Sequence, residues 1–140
     1  MSAFAAAQFI LTTQLQEAAS APIEATAAMI DRSCIEEIRH IEQATGRNDV
    51  LSGFVDALEQ NLARFAATFR DCVARGDAKS AARAAHSLKG TSRQLGARAL
   101  GDLFAAVEAS AKAGDYAEAL RQFDEGAGLI DISLQALRRA

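Results

Sequence analysis

Apolar residues recur every three or four positions along most of the chain, which is the spacing of one face of an α-helix. The clearest stripe predicts a long helix from a cap near Asn48 or Ser52 to Gly76. Its members are Leu51, Phe54, Leu58, Leu62, Phe65, Phe69 and Cys72. Because such a stripe packs against other helices, we expect these phenylalanines, with Phe104 and Phe123, to form a core.

Glycine–aspartate pairs mark the boundaries of the helices that follow. Gly76-Asp77 and Gly114-Asp115 should each end one helix and begin the next, because glycine adopts the left-handed conformation at a helix C-terminus and aspartate caps an N-terminus. Gly96 should end the helix that starts at Asp77. Two further stripes predict a helix before Gly114 and a single last helix after it: Leu100, Leu103, Phe104, Val107 and Ala111, then Tyr116, Leu120, Phe123, Ala127, Ile130, Leu134 and Leu137.

Helical signals also precede the long stripe. Asp31 is a predicted N-cap, with Ile30 and Ile35 forming a hydrophobic staple, and this helix should end near Gly46. Residues 20–31 contain Pro22 and are predicted to be a joint. Residues 3–19 have the pattern of an amphipathic helix, with a stripe formed by Phe4, Ala7, Leu11, Leu15 and Ala18.

Short predicted connections imply that consecutive helices run antiparallel. The sequence therefore predicts an all-α protein, an up-down-up-down four-helix bundle over roughly residues 48–138 with one or two additional N-terminal helices. We expect residues 1–30 to be a helical extension and residues 31–140 to be the bundle domain. The extension leaves two options for the oligomeric state, a monomer or a dimer that pairs through the N-terminal helix.

Composition supports this fold and excludes several classes of protein. Alanine makes up roughly a quarter of the 140 residues and there is one proline, as expected for helices. The net charge of −3 argues against a general nucleic-acid binder. No basic residue precedes Arg32, and the apolar run Phe9-Ile10-Leu11 is followed at once by Thr12, Thr13 and Gln14, so we expect neither a secretory signal nor a membrane span. Cys34 and Cys72 form no disulfide framework, which favours the reducing cytoplasm.

Gly90 lies inside a predicted helix, although glycine at such a position lowers helix stability by about 0.5–1 kcal/mol relative to alanine. At 100° per residue, Leu88 and Leu95 lie on the side of the helix opposite His86, so the imidazole should face solvent with Gly90 one turn away. Cationic residues surround this face: Arg83, Lys89 and Arg93. The glycine either leaves room for an approaching group or allows close helix packing, and its position beside His86 favours the first explanation.

The segment Ala-His-Ser-Leu-Lys-Gly-Thr-Ser-Arg-Gln-Leu-Gly-Ala, residues 85–97, resembles the motif of histidine-containing phosphotransfer (HPt) domains of two-component phosphorelays. The resemblance extends over about residues 32–138 and includes Glu108. It implies that His86 is the phosphoacceptor, through Nε2, and that Lys89 is the cation facing the phosphoryl group. Lys112 matches a second basic position of some relatives, and Gln94 and Arg93 match variable ones.

The resemblance implies a phosphorelay intermediate rather than an enzyme with kinase activity of its own. His86 would accept a phosphoryl group from a receiver aspartate of a hybrid histidine kinase or response regulator and pass it to another receiver aspartate. The alternative is an HPt-like adaptor that binds a kinase or receiver without carrying phosphate. Partner docking should centre on small residues predicted to be exposed beside His86: Ala82, Ala85, Ser87 and Ala97.

We expect no cofactor in this chain, with Mg²⁺ supplied by the partner receiver. Glu37 and His40 have the Glu-x-x-His spacing of carboxylate-bridged metal sites, but such a site needs two of these pairs. Arg83 occupies the position where His86 would need its glutamate. Arg83 and Arg93 could equally be solvated surface charges, and the same alternative holds for Lys112.

Overall fold

The computed structural model describes residues 30–140, and six α-helices make up most of this range. In chain order these are α1 (Arg32–Thr45), α2 (Val50–Ala74), α3 (Ala78–Gln94), α4 (Arg98–Lys112), α5 (Tyr116–Glu125) and α6 (Ala127–Arg139). The helix predicted over residues 3–19, and with it the possible dimer contact, lies outside the described residues, as does most of the predicted joint. Within residues 30–140, no helix has the length and hydropathy needed to cross a bilayer.

The helices α2, α3, α4 and the α5–α6 pair form an antiparallel bundle, which confirms the all-α prediction. The opposite directions of α3 and α4 are evident from two side-chain pairs. Arg93 near the end of α3 meets Asp102 near the start of α4, and His86, earlier in α3, meets Glu108, later in α4. The α3–α4 interface is the most extensive one in the bundle.

An aromatic cluster lies at the centre of the core. The ring of Phe65 on α2 is 5.2 Å from that of Phe104 on α4 and 4.9 Å from that of Phe123 on α5, measured between centroids. The expectation that Phe54 belongs to this core is wrong, because its side chain is 49% exposed. Phe54 lies on the flank of the α2 stripe, where helical spacing alone does not separate a buried position from one at the edge of the interface.

The predicted single last helix is interrupted at Gly126, which ends α5 and begins α6. The two methyl groups of Leu103 on α4 lie 2.5 Å and 3.0 Å from where a Cβ of residue 126 would be. The glycine therefore allows α4 to approach the backbone at this point. The apolar stripe continues across Gly126, so the spacing of apolar residues did not predict this interruption.

Aspartate caps form where the sequence predicts them. The side chains of Asp31, Asp77 and Asp115 accept hydrogen bonds from the backbone N–H groups of the first turns of α1, α3 and α5. The cap of α2 differs from the prediction, since the buried Glu42 of α1 accepts from the backbone N–H groups of Val50 and Leu51. A carboxylate from the preceding helix thus stabilises the N-terminus of α2.

The connection between α3 and α4 holds the start of α1 in place. The backbone N–H of Asp31 donates to the carbonyl of Gly96 at 2.8 Å, and Ile30 forms an isolated bridge with Ala97. Gly96 has a φ of +82°, and a Cβ there would lie 2.7 Å from the carbonyl oxygen of Asp31. Both the left-handed backbone and the close approach require glycine at this position.

We therefore expect Gly96→Ala to destabilise the protein by more than the cost of a left-handed alanine, which is about 1–2 kcal/mol. Gly46→Ala is the matched control, because Gly46 also has a positive φ, +70°, and nothing within 4 Å of its missing Cβ. Urea unfolding of both variants measures the difference. Equal losses of unfolding free energy would show that the contact with Asp31 adds no constraint.

Candidate functional site

A buried carboxylate, Glu108 on α4, joins the charged side chains of the candidate site. Its Oε1 accepts a hydrogen bond of 2.7 Å from Lys89 Nζ on α3. Its Oε2 lies 2.9 Å from His86 Nδ1 and 3.4 Å from Lys112 Nζ. The structure thus brings together three of the residues predicted from the sequence, around a fourth to which the sequence analysis assigned no role.

These contacts keep Glu108 ionised. The hydrogen bond from Lys89 is the largest cause, and the contacts with His86 and Lys112 add to it, so that the pKa of Glu108 is lowered to about 2 although burial opposes ionisation. An ionised carboxylate only accepts hydrogen bonds. The hydrogen in the contact with His86 must therefore be on Nδ1, which leaves the lone pair of the neutral ring on Nε2.

The imidazole combines a fixed orientation with access to solvent. The side chain of His86 is 64% exposed, whereas that of Glu108 is 7% exposed. Nε2 lies on the edge of the ring opposite Nδ1, away from the carboxylate. An unprotonated, accessible nitrogen of this kind can act as a nucleophile without a separate base.

The two lysines occupy different environments. Lys89 is 21% exposed and holds Glu108 closely, while Lys112, one turn after Glu108 on α4, is 67% exposed. Lys112 also has the longer contact with the carboxylate, and its side chain can reorient at lower cost. Lys89 is therefore the closer partner of Glu108, and Lys112 is the more exposed of the two lysines.

Gly90 is one turn beyond His86, and nothing lies within 4 Å of its missing Cβ, apart from the backbone of its own helix. Close helix packing therefore does not explain this glycine. The open space beside the imidazole is the feature that its position in the sequence predicted.

The remaining predicted residues lie apart from Glu108. The aliphatic part of Arg93 packs over Gly101 of α4, and its guanidinium is 3.5 Å from Asp102. Gln94 lines a groove on the other flank of α3. Arg83 is exposed one turn before His86. None of the three contacts Glu108 among the hydrogen bonds and ion pairs of residues 30–140.

The predicted docking patch of small residues is wrong in three of its four members. Ala82, Ala85 and Ala97 are buried, and Ser87 is exposed. Ala82 and Ala85 belong to the buried face of α3, and Ala97 is covered by the start of α1. The helical wheel placed the imidazole correctly but underestimated the width of the buried face.

A signal for the role of Glu108 was present in the sequence. This glutamate is next to Val107 and lies between Phe104 and Ala111 in the buried stripe of α4. A charged residue in such a stripe needs partners, because burying an unpaired charge costs several kcal/mol. In the described part of the chain, no cluster of three or more His, Cys, Asp or Glu side chains could hold a metal ion.

The chain matches the model of a known protein family. The family model described as the Hpt domain matches residues 49–140, which is more than half of the chain. The match starts at the boundary of α2 and includes every residue that contacts Glu108. No curated protein and no solved structure gives a significant match.

Proposed function

This chain belongs to the Hpt domain family, and we propose that it is a phosphoryl carrier with His86 as its phosphoacceptor. Hpt domains carry out histidine phosphotransfer in two-component systems and interact there with receiver domains. The observation that carries the proposal is the contact of 2.9 Å between His86 Nδ1 and Glu108, which places the lone pair of the neutral ring on Nε2 of an exposed side chain.

The proposed transfer needs no proton to be removed from the nucleophile. The Nε2 lone pair of His86 attacks the phosphorus of an aspartyl phosphate on a receiver. The N–P bond forms, the bond from phosphorus to the aspartyl oxygen breaks, and the aspartate leaves as a carboxylate. The ring gains positive charge, which Glu108 stabilises through Nδ1–H. The reverse reaction passes the group to an aspartate of a second receiver, and the receivers supply Mg²⁺.

Two cations support the phosphoryl group in this proposal. Lys112 is the more exposed lysine and is adjacent to the carboxylate that holds the imidazole, so it can turn toward the phosphoryl oxygens. Lys89 contributes positive charge from a fixed position and keeps Glu108 ionised. Cations of this kind stabilise the charge that develops on oxygen during phosphoryl transfer.

We propose that the functional domain comprises residues 31–140, with α1 as part of it although the family match begins at residue 49. Ile35 and Ile38 of α1 are buried in the common core. Glu42 caps α2, and Asp31 is bound to Gly96. These contacts tie α1 to α2 and to the connection between α3 and α4, the two helices that carry the site.

His86→Gln should abolish acceptance of the phosphoryl group when the protein is incubated with a ³²P-labelled receiver, because the amide cannot form a phosphoramidate at this position. His40→Gln is the matched control, since His40 is also an exposed helical histidine, on α1. The label on wild type should be acid-labile and base-stable. Equal labelling of His86→Gln would refute the assignment, and unlabelled wild type that still binds receivers would support the adaptor alternative.

Gly90→Val should slow transfer by about tenfold or more, because side-chain atoms would fill the space that the incoming group needs. Its unfolding free energy should stay within about 0.5 kcal/mol of wild type, since the Cβ meets nothing. Gly128→Val on α6, also with open space at its Cβ, controls for the substitution itself. Unchanged transfer rates in Gly90→Val would remove the steric role of Gly90.

A further inference from the structure

An apolar groove runs along the flank of α3 that faces away from Glu108. Its lining residues come from three helices: Ile38 of α1, Phe54 of α2, and Thr91 and Gln94 of α3, with Leu95 at the end of α3. We call it the Phe54 groove. Its volume is about 290 Å³, which is large enough to hold a few side chains.

The groove presents an exposed aromatic ring. Phe54 is 49% exposed, and among the described residues only Ile41 is another large apolar side chain with comparable exposure. No charged side chain lines the groove. Covering an exposed aromatic ring with apolar atoms is favourable, and an occupant without charges fits this lining best.

Ile30, the first residue that the structure describes, lies close to one end of the groove. Ile30 is buried and bridged to Ala97, and the backbone N–H of Asp31 is bound to Gly96. Leu95, which lines the groove, immediately precedes Gly96. Residues 1–29 are therefore tethered within a few residues of one end of the Phe54 groove.

The sequence of residues 1–29 has the properties of a suitable occupant. Residues 1–16 contain no charged side chain, and Phe4, Leu11 and Leu15 lie on one side of the amphipathic pattern over residues 3–19. A helix of this length would extend about 25 Å. The ten residues 20–29 can span up to about 33 Å, so the connection allows residues 3–19 to reach any part of the groove.

We propose that residues 3–19 dock in the Phe54 groove of their own chain, with the side of Phe4, Leu11 and Leu15 against Phe54. The inference is independent of the proposed function, because it rests on the groove, the tether at Ile30 and the sequence of residues 1–29.

Hydrogen exchange of the full chain, followed by mass spectrometry, tests the docking. Amides of residues 3–19 should exchange at least about tenfold more slowly than an unstructured peptide, and Phe54→Ser should remove this protection. Ile41→Ser is the matched control, because Ile41 is 51% exposed but does not line the groove. Amides of α4 should keep their protection in both variants, which shows that the bundle remains folded.

Three results would overturn the proposal: unprotected amides in residues 3–19 of wild type, equal loss of protection in both variants, or protection only at concentrations where light scattering gives a dimer mass. The last result would assign the groove to a second copy.

If Phe54→Ser unfolds the bundle, the Phe54 ring resonances in NMR spectra of the wild-type background provide the test. Leu11→Ser should shift these resonances. Thr13→Ser should not, because Thr13 lies off the stripe of Phe4, Leu11 and Leu15. Equal effects of the two substitutions would also refute the docking.

Discussion

The site depends on one buried charge, the carboxylate of Glu108. Removing a carboxylate from water is costly, and this one is retained because Lys89, Lys112 and His86 surround it. The same contacts that offset the cost of burial also orient the imidazole and select the ring nitrogen that carries the hydrogen. A single electrostatic constraint therefore links the stability of the α3–α4 interface to the orientation of the His86 ring.

Small side chains form much of the buried face of the helix that carries His86. Ala81, Ala82 and Ala85 give α3 a buried face with little bulk, and helices separated by small residues approach closely. Gly101 allows Arg93 to lie across the interface in the same way. The high alanine content, which on its own only indicated helix, thus also gives α3 a buried face of small side chains.

Local signals predicted the elements that local chemistry determines. The caps at Asp77 and Asp115 and the solvent-facing position of His86 follow from residues within one or two turns. The misjudged features involve distant residues. Gly126, where the last helix is interrupted, lies against Leu103 of α4, and the neighbouring helices leave Phe54 uncovered. No spacing rule within one helix contains that information.

The central claim is that Glu108 fixes the hydrogen of the neutral His86 ring on Nδ1. The most direct test is ¹⁵N NMR of the imidazole nitrogens above the pH at which the ring deprotonates, with His40 as an internal reference for an exposed histidine. We expect a protonated Nδ1 and an unprotonated Nε2 in the neutral ring of His86, and phosphorylation on Nε2 after reaction with a phosphorylated receiver. A neutral ring protonated on Nε2, or a phosphoryl group on Nδ1, would contradict it.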